Sequence, residues 1–236
     1  MTTVLLIRHG MTALTGPVLA GWTPGVHLDE RGRAQVTSLG ERLREVPLAA
    51  IVTSPLERCR ETADALLADR APAPALHVDE RLGEVRYGSW TGRELVDLRK
   101  EPLWRVVQAH PSAAIFPEGE GLAAMAARAT EAIHDWNTRL GLDATYVVVS
   151  HGDVIKALIA DALGLHLDGF QRIVVDPASL TAIRYTELRP FVVRVNDTGV
   201  GVEALVAQPP ARRRRGARGR ASGPASDAPV GGGAGG

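Results

Sequence analysis

One cysteine, Cys59, occurs among the 236 residues. No disulfide can form within the chain, so the fold has to rest on a hydrophobic core, for which 45% apolar residues is an ordinary supply. A lone thiol fits a reducing compartment, and the cytoplasm is the expected location. Uninterrupted apolar runs of about 18 residues are absent, which excludes a membrane-spanning helix as an expectation. The apolar stretch near the N-terminus is too short and wrongly flanked for a signal peptide, so it is expected to belong to the fold. His27, His77, His110, His134 and His166 show no repeated spacing of the kind a metal site needs, and no metal or other cofactor is expected.

Net charge is also lacking, with 27 basic and 27 acidic residues. That balance joins two unlike regions. From Pro209 onward the chain reads PPARRRRGARGRASGPASDAPVGGGAGG, rich in arginine and nearly free of apolar side chains. Ordering such a stretch costs roughly 1–2 kcal/mol per residue with nothing buried in return. Residues 206–236 are therefore expected to form a disordered tail after a single domain over 1–205. Removing the tail leaves a body of about five net negative charges. An arginine cluster in this context reads as a solvated appendage rather than a nucleic-acid contact.

Three short apolar runs, VLLI (4–7), AAIVTS (49–54) and TYVVVS (145–150), are unalternated and rich in β-branched residues, as strands buried on both faces are. Helical spacing separates them: Asp29 to Val46, Pro55 to about Ala68 behind a Ser54-Pro55-Leu56-Glu57 capping box, Leu122 to Leu140, and Val154 to Leu163. SLTAIRYTEL and FVVRVND flank Arg189-Pro190 and read as a closing antiparallel pair. This alternation predicts an α/β fold, a three-layer α/β/α sandwich with a mainly parallel central sheet. The edge strand offers a route to a homodimer.

Ligands of such sheets bind at the carboxyl ends of strands. The first strand ends in Arg8-His9-Gly10, the third run in Ser150-His151-Gly152-Asp153, and the second leads into the helix carrying Arg58. Guanidinium forks and helix N-termini suit an anion with several oxygens, and Gly10 and Gly152 suit close approach of backbone to a ligand or a sharp turn. A neutral imidazole at His9 can also attack phosphorus, while a protonated His151 could share the charge of the transferring oxygens. In RLGEVRYGSWTGR, Glu84 is the only carboxylate, and burial or a neighbouring dianion would raise its pKa into the range of a general acid. Thr12 and Thr15 are candidate substrate contacts. Cys59 reads as a buried structural thiol, and HPSAAIFPEGE (110–120) as a lid segment.

LLIRHGMT, SPLERCRET, LGEVRYGSWTG and VVVSHGDVI, in this order, resemble the histidine phosphatase superfamily, in its phosphoglycerate mutase-like branch, over about residues 1–200. The resemblance implies a phosphohistidine intermediate at His9, a phosphate pocket completed by Arg8, Arg58 and His151, and Glu84 as proton donor. It also implies that Gly21 and Trp22 help to shape the substrate entrance. Met11 and Thr15 stand where the family's glycolytic mutases usually carry glutamate and asparagine, and Ser89-Trp90-Thr91-Gly92 is closer to the phosphatase form. The expectation is a metal-independent phosphomonoester phosphatase acting on a small phosphate ester. A phosphomutase using the same intermediate and an inactive phosphate-binding module are the alternatives.

Overall fold

A computed structural model describes residues 1–68 and 70–201. Both the expected tail and the expected domain limit at residue 205 lie outside the described residues. Six strands form one sheet: β1 (Thr2–Arg8), β2 (Ala50–Thr53), β3 (Ala75–Val78), β4 (Thr145–Ser150), β5 (Leu180–Tyr185) and β6 (Pro190–Asp197). Their order across the sheet is β3-β2-β4-β1-β5-β6. The first four strands run parallel, while β5 and β6 join antiparallel at one edge.

The unalternated runs have a direct packing reason, because successive residues of a strand face opposite sides of the sheet. On β1, Leu5 and Ile7 pack with Leu39 and Leu43 of α1 (Glu30–Leu43) and with Cys59, Ala63 and Leu66 of α2 (Glu57–Leu67). Val4 and Leu6, on the other face, join a core that includes α5 (Leu122–Leu140) and α6 (Gly152–Ala162). Both faces are covered, and the central positions Val4–Ile7, Ala50–Val52 and Tyr146–Val149 of β1, β2 and β4 are buried and apolar. Two small helices, α3 (Leu95–Leu98) and α4 (Pro102–Ala109), lie in the connection before α5. The expected three-layer sandwich is the observed fold.

Several boundaries differ from the sequence reading. Asp29 caps α1, its side chain accepting the Gly32 N–H. The helix carrying Arg58 starts at Glu57 rather than Pro55, and Ser54 does not cap it: the cap residue is Leu56, and Ser54 Oγ lies 3.4 Å from the Leu56 nitrogen. Ser54 Oγ accepts that Leu56 N–H and also bonds a histidine ring. Helix α6 begins two residues before the expected Val154, directly after His151. Strand β3 was not anticipated, since all four of its residues are exposed and give no buried apolar run. The segment read as a lid is built into the body of the protein: Phe116 is buried and meets Tyr87 edge to face.

Candidate active site

The parallel register brings three chain turns to one level. Arg8 pairs with Ser150 across β1 and β4, and Thr53 pairs with Val149 across β2 and β4. Hydrogen bonds continue one step beyond the strands, from His9 N–H to the Ser150 carbonyl (3.0 Å) and from Ser54 N–H to the Val149 carbonyl (3.0 Å). His9, Ser54 and His151 are thereby held side by side. Gly10 serves this layout in another way than expected, for a Cβ there would meet the Gly32 carbonyl oxygen at 2.8 Å and Val36 Cγ1 at 2.9 Å. Its missing side chain admits helix α1.

The imidazoles of His9 and His151 stand 5.3 Å apart between centroids, at 62°. Nδ1 of His9 donates to the Gly10 carbonyl at 2.8 Å, which leaves the lone pair on Nε2. Arg58 Nε donates to that Nε2 at 3.3 Å. The same guanidinium donates through Nη2 to the Gly21 carbonyl (2.8 Å) and to His151 Nδ1 (3.3 Å). Its third nitrogen, Nη1, is buried with no hydrogen-bond partner among the described residues. Arg8 is equally buried and donates through Nη1 to the Val175 carbonyl at 2.7 Å.

Burial and the two guanidinium groups push both histidines well below their ordinary pKa of 6.5, burial being the larger cause. Both rings are therefore neutral near pH 7. For His151 this revises the protonated form expected from sequence: its Nδ1 accepts from Arg58, and Nε2 is 2.8 Å from Ser54 Oγ. Cys59 lies with its Sγ 3.4 Å from His151 Nε2, and burial pushes the thiol up to about 12, so it stays protonated despite the adjacent arginine.

Glu84 is buried, with Oε2 3.8 Å from His151 Nδ1 and Oε1 accepting the Val85 N–H at 3.0 Å. Burial, reinforced by Asp153 and opposed by Arg58, raises its pKa to about 7. Near neutrality this carboxyl both holds and releases a proton. Asp153 itself is turned away from the histidines, accepting from Tyr87 OH at 2.9 Å with Lys156 Nζ at 3.6 Å.

A pocket opens over this group, lined by Arg8, His9, Arg58, Glu84, Thr12 and Thr15, with Gly21 in its wall. Thr12 and Thr15 form a turn in which their hydroxyls meet at 3.0 Å. Trp22 stands outside the lining: its Nε1–H donates to the Glu84 carbonyl at 2.6 Å, and its ring fills the space a Cβ on Gly83 would need. Gly152 also lies outside the lining, as the first residue of α6.

Sequence reasoning missed three supports. Ser54, read as a cap, holds His151. Tyr87 lines the pocket and bonds Asp153. Arg128 of α5 donates to the carbonyls of Arg81, Gly83 and Glu84 and pairs with Glu120 at 2.6 Å, fastening the backbone that carries the acid. Nothing in the spacing of α5 marks Arg128, because the carbonyls it fastens lie 44–47 residues away in sequence.

The titrations predict how stability depends on pH. In the unfolded chain both histidines take up protons below about 6.5, whereas the folded chain keeps them neutral; Glu84 acts in the opposite sense, folded chains holding its proton up to about 7 and unfolded chains only to about 4.5. Below about pH 6.5 the unfolded state therefore takes up more protons than the folded state, and these three groups should make the protein less stable as pH falls through that range. Urea unfolding at pH 5.0 and 6.5 checks this in His9→Gln/His151→Gln, which should flatten or reverse the slope.

These features define an anion pocket lined by one imidazole, two guanidinium groups and a carboxylic acid on an α/β/α sandwich, with the second imidazole, His151, buried behind Arg58 and outside the lining. Residues 4–198 match the model of the histidine phosphatase superfamily (branch 1), and the chain belongs to that family. It is 28% identical over 190 residues to "Probable phosphoglycerate mutase GpmB" of Erwinia tasmaniensis, covering 79% of this chain and 86% of the relative. It is 31% identical over 206 residues to phosphoserine phosphatase 1 of Hydrogenobacter thermophilus, covering 84% and 93%. Among solved structures, Bacillus stearothermophilus YhfR superposes with a TM-score of 0.76 at 30% identity, covering 84% of this chain and 98% of that one. Relatives in this superfamily are phosphatases and mutase-like enzymes that work through a phosphohistidine.

Proposed function

We propose that this protein is a phosphomonoester phosphatase in which His9 is the nucleophile and Glu84 the proton donor. The observation that carries the reading is the set of groups around His9 Nε2: a neutral ring with its proton fixed on Nδ1, and a buried Arg58 whose Nη1 has no partner among the described residues. A phosphoryl oxygen would satisfy that nitrogen and draw Arg58 Nε away from the histidine lone pair.

His9 Nε2 then attacks phosphorus, the bond to the ester oxygen breaks, and Glu84 gives its proton to the departing alkoxide. In the second half, water attacks the phosphohistidine, Glu84 takes up the water's proton, and phosphate leaves with His9 restored. Arg8 and Arg58 stabilise the charge on the transferring oxygens without a metal ion, with neutral His151 holding Arg58 in place. Thr12, Thr15 and Gly21 line the path of the substrate, and Trp22 and Gly152 support it from behind. The domain over 1–205 carries all of these groups, and the setting is cytoplasmic.

Incubation with para-nitrophenyl phosphate and with sugar phosphates tests the assignment. Release of inorganic phosphate is expected; clean isomerisation of an ester with no phosphate released would establish a mutase instead, and neither outcome would leave a binding module.

A further inference from the structure

Resting on the phosphatase reading, we infer that the substrate's alcohol portion is uncharged and apolar, excluding esters that carry a carboxylate or a second phosphate beside the reacting one. All of the positive charge in the pocket lies at its base, on Arg8 and Arg58, beside His9. The rest of the lining includes Leu14, Val18, Leu19, Ala20 and Leu95, with Gly16 and Tyr87. No lysine and no further arginine lines it among the described residues.

The hydroxyls of the lining leave a second anion one donor at most, since Tyr87 donates to Asp153 and one of the two threonine hydroxyls donates to the other. Thr12 and Thr15 bond each other, and Thr15 Oγ1 also accepts the Thr12 N–H at 3.0 Å. The arginines of the adjoining segment are engaged elsewhere: Arg86 lies 4.1 Å over the Trp22 ring, and Arg93 pairs with Glu101 at 2.7 Å. The wall is also tied down. Leu19 N–H donates to the Arg93 carbonyl, Gly92 N–H to the Leu19 carbonyl, and Leu95 N–H to the Pro17 carbonyl, at 3.0, 2.8 and 2.9 Å. A preformed apolar wall favours an alkyl or aryl group, while a carboxylate placed against it loses water and gains no partner.

The test compares butyl phosphate with 4-(phosphonooxy)butanoate, alcohols of equal length that differ by a terminal carboxylate. The butyl ester should have the higher kcat/KM by about tenfold or more, since a polar group left without a partner in a pocket costs at least that much. Calorimetry with butylphosphonate and 4-phosphonobutanoate supplies a reading independent of turnover, and the same order of affinity is expected. Leu14→Arg, on the partly exposed wall, should shrink or invert both ratios. Equal or better use of the carboxylate compounds by the unaltered protein would overturn the inference while leaving the phosphatase intact. Phosphonates bound in the expected order without hydrolysis of either ester would uphold the pocket's selectivity and overturn the phosphatase. Failure to bind any of the four would overturn both.

Discussion

His9→Ala should lower kcat for phosphate ester hydrolysis by a factor on the order of 10⁴ or more, because the covalent route disappears and only binding and charge stabilisation by Arg8 and Arg58 remain. The variant should stay folded. His9 lies at the floor of an open pocket rather than in the aliphatic core, and the sheet on which it sits is covered by helices on both faces. Thermal melting checks the fold, and initial rates with para-nitrophenyl phosphate read the loss. A rate within tenfold of the unaltered enzyme would remove His9 from the mechanism. His9→Gln, which keeps a polar group beside Arg58, should be as inactive, separating loss of the nucleophile from loss of packing.

The second large effect belongs to Glu84. Glu84→Gln should cost about 10²–10⁴ in kcat for an alkyl phosphate, whose alkoxide cannot leave without a proton. For para-nitrophenyl phosphate the cost should be much smaller, because that phenolate departs unaided. The sign of the pH dependence follows from the raised pKa of about 7. The acid form is required in the first half-reaction, so hydrolysis of an alkyl ester should fall as pH rises through about 7, while Asp153 and burial hold the proton on below that point and Arg58 and Arg8 oppose them. In Glu84→Gln this alkaline limb should vanish. Equal losses with both leaving groups, or a limb retained in the variant, would assign the proton to another group.

How much of this could be read from sequence depends on which interactions are local. Strands β1, β2 and β4 were legible because burial on both faces forces unbroken apolar runs, and α5 because its apolar face repeats along 19 residues. Strand β3 was not, since an exposed edge strand needs no such run. Ser54 shows a deeper limit. Ser-Pro-Leu-Glu satisfies every local rule for a cap, yet the hydroxyl bonds His151, 97 residues away. The charge state of His151 was misjudged for a related reason: an imidazole at a strand end looks accessible in sequence, and only the packed structure shows it fully buried beneath Arg58.

The acid loop was half legible. Glu84 stood out as a lone carboxylate among glycine and aromatic residues, but what holds it does not. Trp22 and Arg128 both donate to its carbonyl from distant segments, and Gly88, with φ of +54°, lets the Pro117 backbone press against the loop where a Cβ would meet its oxygen at 1.9 Å. Glycine at that position signals a turn in the sequence, whereas its partner is invisible there.

Attachment of phosphorus to Nε2 of residue 9 is the central chemical event. Mixing the enzyme with a phosphate ester, quenching in alkali within milliseconds and mapping the modified peptide by mass spectrometry and phosphorus NMR tests this directly. The prediction is a phosphorylated histidine at position 9, bonded through Nε2 and absent from His9→Ala. Phosphorus on His151, on Nδ1 of His9, or on no residue while phosphate is being released would contradict it.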